Sequence, residues 1–277
     1  MNASYINYLK ADHKSENTIK TYIKNIDKFL KTVDKPENEV TFLDICDYQA
    51  SLENLSANSV RIQLASLKSY FQFLVKAKVI NEDPTDGVKK PKSNPKVKQY
   101  MTSEDIEAMI NACRTNRDVA IIKFMVSTGV RISEMSSITL DDYYEAINTD
   151  HEITIVGKGN KERNIFINPS VEEAVNYYLS NRYVRCEYLF ASFRETRIDE
   201  ESMSRTLKTT AHNAGLSYWK EISPHWLRAA FATIANSKGY DVKAISEAMG
   251  HSSIAVTSVY LKTTQSRVNN VMSGMAF

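Results

Sequence analysis

Histidine is scarce in this chain, at five of 277 residues. Two of the five, His225 and His251, stand close in sequence to Arg228 and Tyr260. The local sequences are Pro224–His225–Trp226–Leu227–Arg228, then Met249–Gly250–His251, then Tyr260. Upstream, Thr128–Gly129–Val130–Arg131–Ile132–Ser133–Glu134 adds a second arginine with a glutamate three residues on. Gly157–Lys158–Gly159–Asn160–Lys161–Glu162–Arg163 adds a lysine on a tight turn. Guanidinium forks give paired, charge-assisted hydrogen bonds to phosphate oxygens. A phenol can attack phosphorus to form an ester, provided a neighbour helps remove a proton whose reference pKa is about 10. Cationic donors gathered around one tyrosine therefore suit chemistry on a phosphodiester. No carboxylate cluster with metal-ligand spacing accompanies them. The expectation is a site with no metal and no cofactor, in which the cations do what Mg²⁺ does elsewhere.

Each residue also has an ordinary explanation. Arg131 and Glu134 could be a helix-surface ion pair, Lys158 a solvated hairpin lysine, His225 a helix cap and Tyr260 one core aromatic among 15 tyrosines. The weight lies in their joint occurrence and order.

The elements that must hold these groups are mostly helices. From Ser15 onward, Ile19, Tyr22, Ile23, Ile26, Phe29 and Leu30 repeat at the helical period, with Lys20, Lys24, Lys28 and Lys31 on the other side. Thr41 is placed to cap a short helix through Phe42, Leu43, Ile45 and Tyr48. A third helix after Ser56 buries Val60, Leu64, Leu67, Phe71 and Leu74 and leaves Arg61, Lys68, Lys76 and Lys78 at the surface. Three prolines (Pro84, Pro91, Pro95) and five lysines between Lys89 and Lys98 then mark a linker. Beyond it, helices are expected from Thr102 through Ile110, from Arg117 to Ser127, and briefly from Arg131. Glu152–Val156 and Asn164–Ile167 read as two strands joined at Gly157–Lys158–Gly159–Asn160. Helices follow at about 170–181, 200–213, 224–237 and 241–249, and Ser252 or Ser253 would cap one carrying Tyr260.

Bulk composition is globular, with 43% hydrophobic and 25% charged residues, and 277 residues suffice for two domains. The net charge of +2 argues for no particular partner. Residues 1–100 carry 16 Lys+Arg against 12 Asp+Glu, a mild basic bias in the first part. Cys46, Cys113 and Cys186 are odd in number and widely spaced, which suits reduced thiols and a cytoplasmic location. The first residues lack a signal-peptide layout, and no apolar run approaches the ~20 residues needed to span a bilayer.

The ordered set Arg131, Lys158, His225-x-x-Arg228, His251 and Tyr260, with its local context, resembles the tyrosine recombinase family (phage integrase, Xer-like). The resemblance covers nearly the whole chain. It implies a mainly α fold with a small β-sheet: an N-terminal helical core-binding (SAM-like) domain at 1–83, a basic linker at 84–99 and a C-terminal α+β catalytic domain at 100–277. It implies a site-specific recombinase that cuts and rejoins DNA through a 3′-phosphotyrosyl ester on Tyr260. Arg131 and Arg228 would hold the non-bridging oxygens, His251 would add a donor and His225 would act as base or orienter. Lys158 would be the general acid for the departing 5′ oxygen, and Glu134 would buttress the arginine and histidine. Arg61, Lys68, Lys89, Lys90 and Lys92 are the candidate DNA contacts. The implied partners are a double-stranded recombination site and three further copies of the chain in a tetramer on paired sites, with room for a partner recombinase or directionality factor and no role for a membrane. The stripe Val268, Met272 and Met275 would dock on a neighbouring protomer or fold back on its own domain. With a core-binding domain at the start of this sequence, the expectation is an architecture without the arm-binding domain of lambda-type integrases. One position departs from the family pattern: Ala229 and Ala230 follow the motif arginine, where a histidine is common. A type IB topoisomerase and a non-catalytic DNA-binding accessory factor are the rival readings.

Overall fold

The computed structural model describes residues 3–92, 100–157, 161–251, 253, 254 and 257. The chain forms two compact units, Met1–Val97 and Lys98–Phe277. Lys158, Tyr260 and the stripe Val268, Met272 and Met275 lie outside the described residues.

In the first unit, α1 (Ala3–Ala11), α2 (Glu16–Val33), α3 (Phe42–Ser51) and α4 (Ala57–Lys76) surround one core. Side-chain caps satisfy backbone donors that the first helical turn leaves unpaired. Ser15 accepts the Thr18 N–H at the start of α2, and Thr41 forms a reciprocal cap with Asp44 at the start of α3. α2 buries Ile19, Ile26 and Phe29 and leaves Lys20, Lys24, Lys28 and Lys31 exposed. α4 buries the five expected apolar residues, with Phe71 edge-on to Phe29. Helix α1 was not expected, because its buried stripe is only Tyr5 and Leu9. Tyr5 nevertheless lies fully inside the core and donates its hydroxyl to Ser69 at 3.0 Å. Residues 84–92, marked as linker by their prolines and lysines, lie against this unit. Thr85 is buried, Val88 packs on the core, and Gln49 donates to the Lys89 carbonyl at 3.0 Å.

The second unit contains α5 (Ser103–Asn111), α6 (Asn116–Thr128), α7 (Ile132–Met135), α8 (Leu140–Asn148), β1 (Glu152–Val156), β2 (Glu162–Phe166), α9 (Pro169–Ser180), α10 (Glu200–Asn213), α11 (Pro224–Ser237) and α12 (Val242–Met249). The strongly apolar α6 is central and packs on both α9 and α11. It ends at Gly129, whose φ of +63° is left-handed. A Cβ on Gly129 would come within 2.6 Å of the Phe231 ring on α11, so the glycine also permits the close crossing. The strands pair antiparallel with Ile155 opposite Arg163. Ile153, Ile155 and Ile165 face inward. β2 begins at Glu162, two residues before the expected start, where charged residues hide the alternation. Helix α8 was likewise not expected: Asp141 and Asp142 dilute its apolar face, which buries Tyr143 and Ala146. Among the described residues no helix is long and apolar enough to cross a membrane.

Candidate active site

The end of α12 brings together several of the candidate side chains. Gly250 closes this helix in the left-handed conformation, φ +62°, and His251 follows immediately. A helix leaves its last carbonyls without intrahelical partners and concentrates partial negative charge there. Here three consecutive carbonyls receive three different arginines. Arg163 Nε donates to Ala248 at 3.0 Å, Arg228 Nη2 donates to Met249, and Arg131 Nη2 donates to Gly250 at 3.3 Å. Arg228 Nη1 also donates to the carbonyl of Gly129, so this one side chain joins the ends of α6 and α12.

Each arginine arrives from a different element. Arg131 is the residue just before α7, Arg163 stands on the inward face of β2, and Arg228 is in the second turn of α11. Small residues let α11 and α12 approach: Ala229 and Ala232 pack on Ile245 and Met249. The alanine after the motif arginine, where the family pattern favours histidine, is thus part of this helix contact.

Glu134 binds two of the arginines together. Its Oε1 accepts from Arg131 Nη1 at 2.7 Å and from Arg163 Nη1 at 3.0 Å. Its Oε2 accepts from the Arg131 backbone N–H and from Arg163 Nη2, both at 2.8 Å. Burial opposes the charge on Glu134, but the hydrogen bonds from Arg163 and Arg131 overcome it and hold the carboxyl down to about 2. The side chains of Arg131, Arg163 and Glu134 are 33%, 12% and 3% exposed, so Arg131 is the one open to a ligand. The expected partnership of Glu134 with Arg131 is present, and the bidentate partner is Arg163.

His251 Nδ1 lies 2.7 Å from Thr257 Oγ1, a contact that orients the ring. Burial lowers its pKa first, and the charges of Arg228, Arg131, His225 and Arg163 lower it further, to about 4. His225 is exposed in the first turn of α11, directly after Pro224. Arg131, Arg228, His225 and His251 are therefore one electrostatic cluster. Among the described residues no group of three or more His, Cys, Asp or Glu side chains is placed to hold a metal. The exposed part of the cluster is cationic and suits an anion.

Arg163 was missed as a site residue although it ends the quoted glycine-lysine motif. The available signal was parity: Arg163, Ile165 and Ile167 alternate onto one face, and a charge on the buried face of a strand requires a partner. On the first unit, Arg61, Lys89, Lys90 and Lys92 are exposed, and Lys68 pairs with Asp86 at 3.6 Å.

A two-domain chain with this arginine–histidine frame defines the class of the tyrosine recombinases. The chain belongs to the phage integrase family: the profile of that family matches residues 99–267. The profile of the phage integrase N-terminal SAM-like domain matches residues 3–81. Tyrosine recombinase XerD of Halalkalibacterium halodurans is 29% identical, over 93% of this chain and 90% of that protein. Tyrosine recombinase XerA of Pyrococcus horikoshii is 28% identical, over 94% and 88%. The crystal structure of XerA recombinase matches with a TM-score of 0.55 at 26% identity, covering 98% of this chain and 95% of that one. The fold is also shared with XerH site-specific recombinase bound to difH substrate, at a TM-score of 0.72, 21% identity, and coverage of 92% and 79%.

Proposed function

We infer that the protein is a site-specific DNA recombinase of the tyrosine type. It cuts and rejoins strands by transesterification, with Tyr260 as nucleophile. The observation that carries this reading is the cationic frame at the end of α12: Arg131 on its open side, Arg228 and Arg163 behind it, and His251 and His225 within its field. The phenolate oxygen attacks phosphorus, a 3′-phosphotyrosyl ester forms, and the 5′ oxygen leaves with a proton from Lys158. The ester retains the bond that hydrolysis would lose, so the strand can be rejoined by the reverse displacement. Negative charge grows on the non-bridging oxygens in the transition state. Arg131 and His251 meet that charge, with Arg228 close behind, and fixed donors of this kind need no reorganisation as it develops. His225 is the group that takes or orients the Tyr260 proton. The Thr257 hydroxyl ties His251 to the segment that leads, three residues on, to Tyr260.

Two domains with basic surfaces on the first, at Arg61, Lys89, Lys90 and Lys92, suit a double-stranded substrate. The relatives are named as recombinases, which favours strand exchange over relaxation by a lone topoisomerase; a tetramer on paired sites is the assembly that this reading implies. The protein would act inside the cell, where that DNA is.

The test is covalent trapping. Wild-type protein and Tyr260→Phe are incubated with a library of nicked duplexes, denatured in SDS, and examined for protein–DNA adducts. The expected outcome is an adduct with the wild type alone, and sequencing its DNA would identify the site. An adduct that survives in Tyr260→Phe moves the nucleophile elsewhere. Specific binding with no adduct from either protein favours the accessory-factor reading.

A further inference from the structure

We propose that Arg163 is a positioning residue for strand cleavage, holding Arg131 and His251 in one rigid frame by joining Glu134 to the end of α12. The proposal rests on the recombinase reading above and adds a residue to it.

The geometry separates the work of the two arginines on Glu134. Both oxygens of the carboxylate are shared, each taking one bond from Arg131 and one from Arg163. With two guanidiniums on one carboxylate, the trio keeps a net positive charge, and Arg131 retains attraction for a phosphate. Without Arg163 the full carboxylate charge would fall on Arg131 and draw its fork inward. The third bond of Arg163, from Nε to the Ala248 carbonyl, fixes the helix end three residues before His251. Arg163 is much less exposed than Arg131, so its effect on a ligand passes through these neighbours. Two glycines make room for it. A Cβ on Gly250 would lie 2.8 Å from Arg163 Nη1, and one on Gly157 would lie 3.3 Å from Glu134 Oε1 and 3.5 Å from Arg163 Nη1.

A purely structural ion pair would look similar at rest, so the test must read the charge that develops during cleavage. Wild type, Arg163→Gln and Arg163→Lys are compared in single-turnover adduct formation at saturating protein. Two trapped duplexes are used, one with an ordinary scissile phosphodiester and one with a methylphosphonate there. Replacing a non-bridging oxygen by methyl removes the negative charge that the frame stabilises. Melting curves and DNA affinity are recorded for all three proteins. Arg163→Gln is expected to bind DNA normally and to cleave the phosphodiester on the order of 10²-fold more slowly. On the methylphosphonate its rate should come close to that of wild type. Arg163→Lys keeps the charge without the fork and should fall between, and it carries the test if the glutamine variant does not fold. Two results overturn the proposal: wild-type cleavage by both variants, or equal losses on the two substrates. Absence of any adduct from the wild type would instead count against the recombinase reading itself.

Discussion

The surroundings of His251 favour its neutral state. Burial and four surrounding cationic or imidazole side chains all oppose a second proton on its ring, which brings its pKa from 6.5 to about 4. A phosphodiester between the ring and the arginines would cancel part of that field and favour the charged donor. In the free protein the same shift sets a pH dependence. Between pH 6.5 and about 4 the unfolded chain binds a proton at this position that the folded chain does not, so folding stability falls as pH falls through that window. Below about 4 the folded form is protonated as well, and this contribution stops growing. Glu134 acts in the same direction lower down: its stabilisation is complete above the ordinary 4.5 and is lost as pH falls toward about 2. The urea midpoint of wild type should therefore drop between pH 6.5 and 4. His251→Gln should flatten that portion while leaving the steeper loss at lower pH. An unchanged slope in the variant would place the titrating group elsewhere.

At the scale of elements, the crossing of α6 and α11 governs the site, because Arg228 spans from α11 to the end of α6. Gly129→Ala should be among the more damaging single-methyl substitutions. It strains a left-handed residue and drives a Cβ to 2.6 Å from the Phe231 ring. A loss on the order of 2–4 kcal/mol in chemical denaturation is expected, combining the left-handed penalty with overpacking. Phe231→Leu in the same chain should recover part of it, and strict additivity of the two changes would show that the ring is not the obstacle. Elements whose apolar period was undiluted were legible in the sequence: α2, α4, α6, α11 with its Pro224 start, and β1. Helix α8 and the start of β2 were not, because acidic and basic residues occupy the positions that would reveal the period. Of the candidate site, the motif residues Arg131, Glu134, Arg228 and His251 fall together, as the family resemblance implied. The role of the α12 carbonyls was illegible, and strand parity marked Arg163 only as a charge in need of a partner, without saying which. Backbone acceptors have no letter in a sequence, and the partners lie 21 to 119 residues apart.

Considered as a whole molecule, the near-neutral net charge of +2 leaves DNA affinity to local surfaces. Each phosphate neutralised by a lysine or arginine releases condensed counterions, which steepens the fall of affinity with salt by about 0.9 in the log–log slope. Arg61→Ala, or Lys89→Ala, is expected to reduce the slope by about that amount and to weaken binding to all duplexes alike. Lys68→Ala should change it less, since Asp86 already meets part of that charge. Anisotropy titrations across a salt series would measure this, and slopes identical to wild type would remove these residues from the interface.

The three guanidiniums at the end of α12 also bear on when the site comes into being. A helix of eight residues is too short to persist in water by itself. Its last turn is closed by side chains 21, 85 and 119 positions distant in the chain, so its order arrives only after long loops have been closed. A partly folded copy therefore carries every arginine of the site without their arrangement. It can cling to DNA through charge, but the geometry that would break a strand exists only in the finished fold.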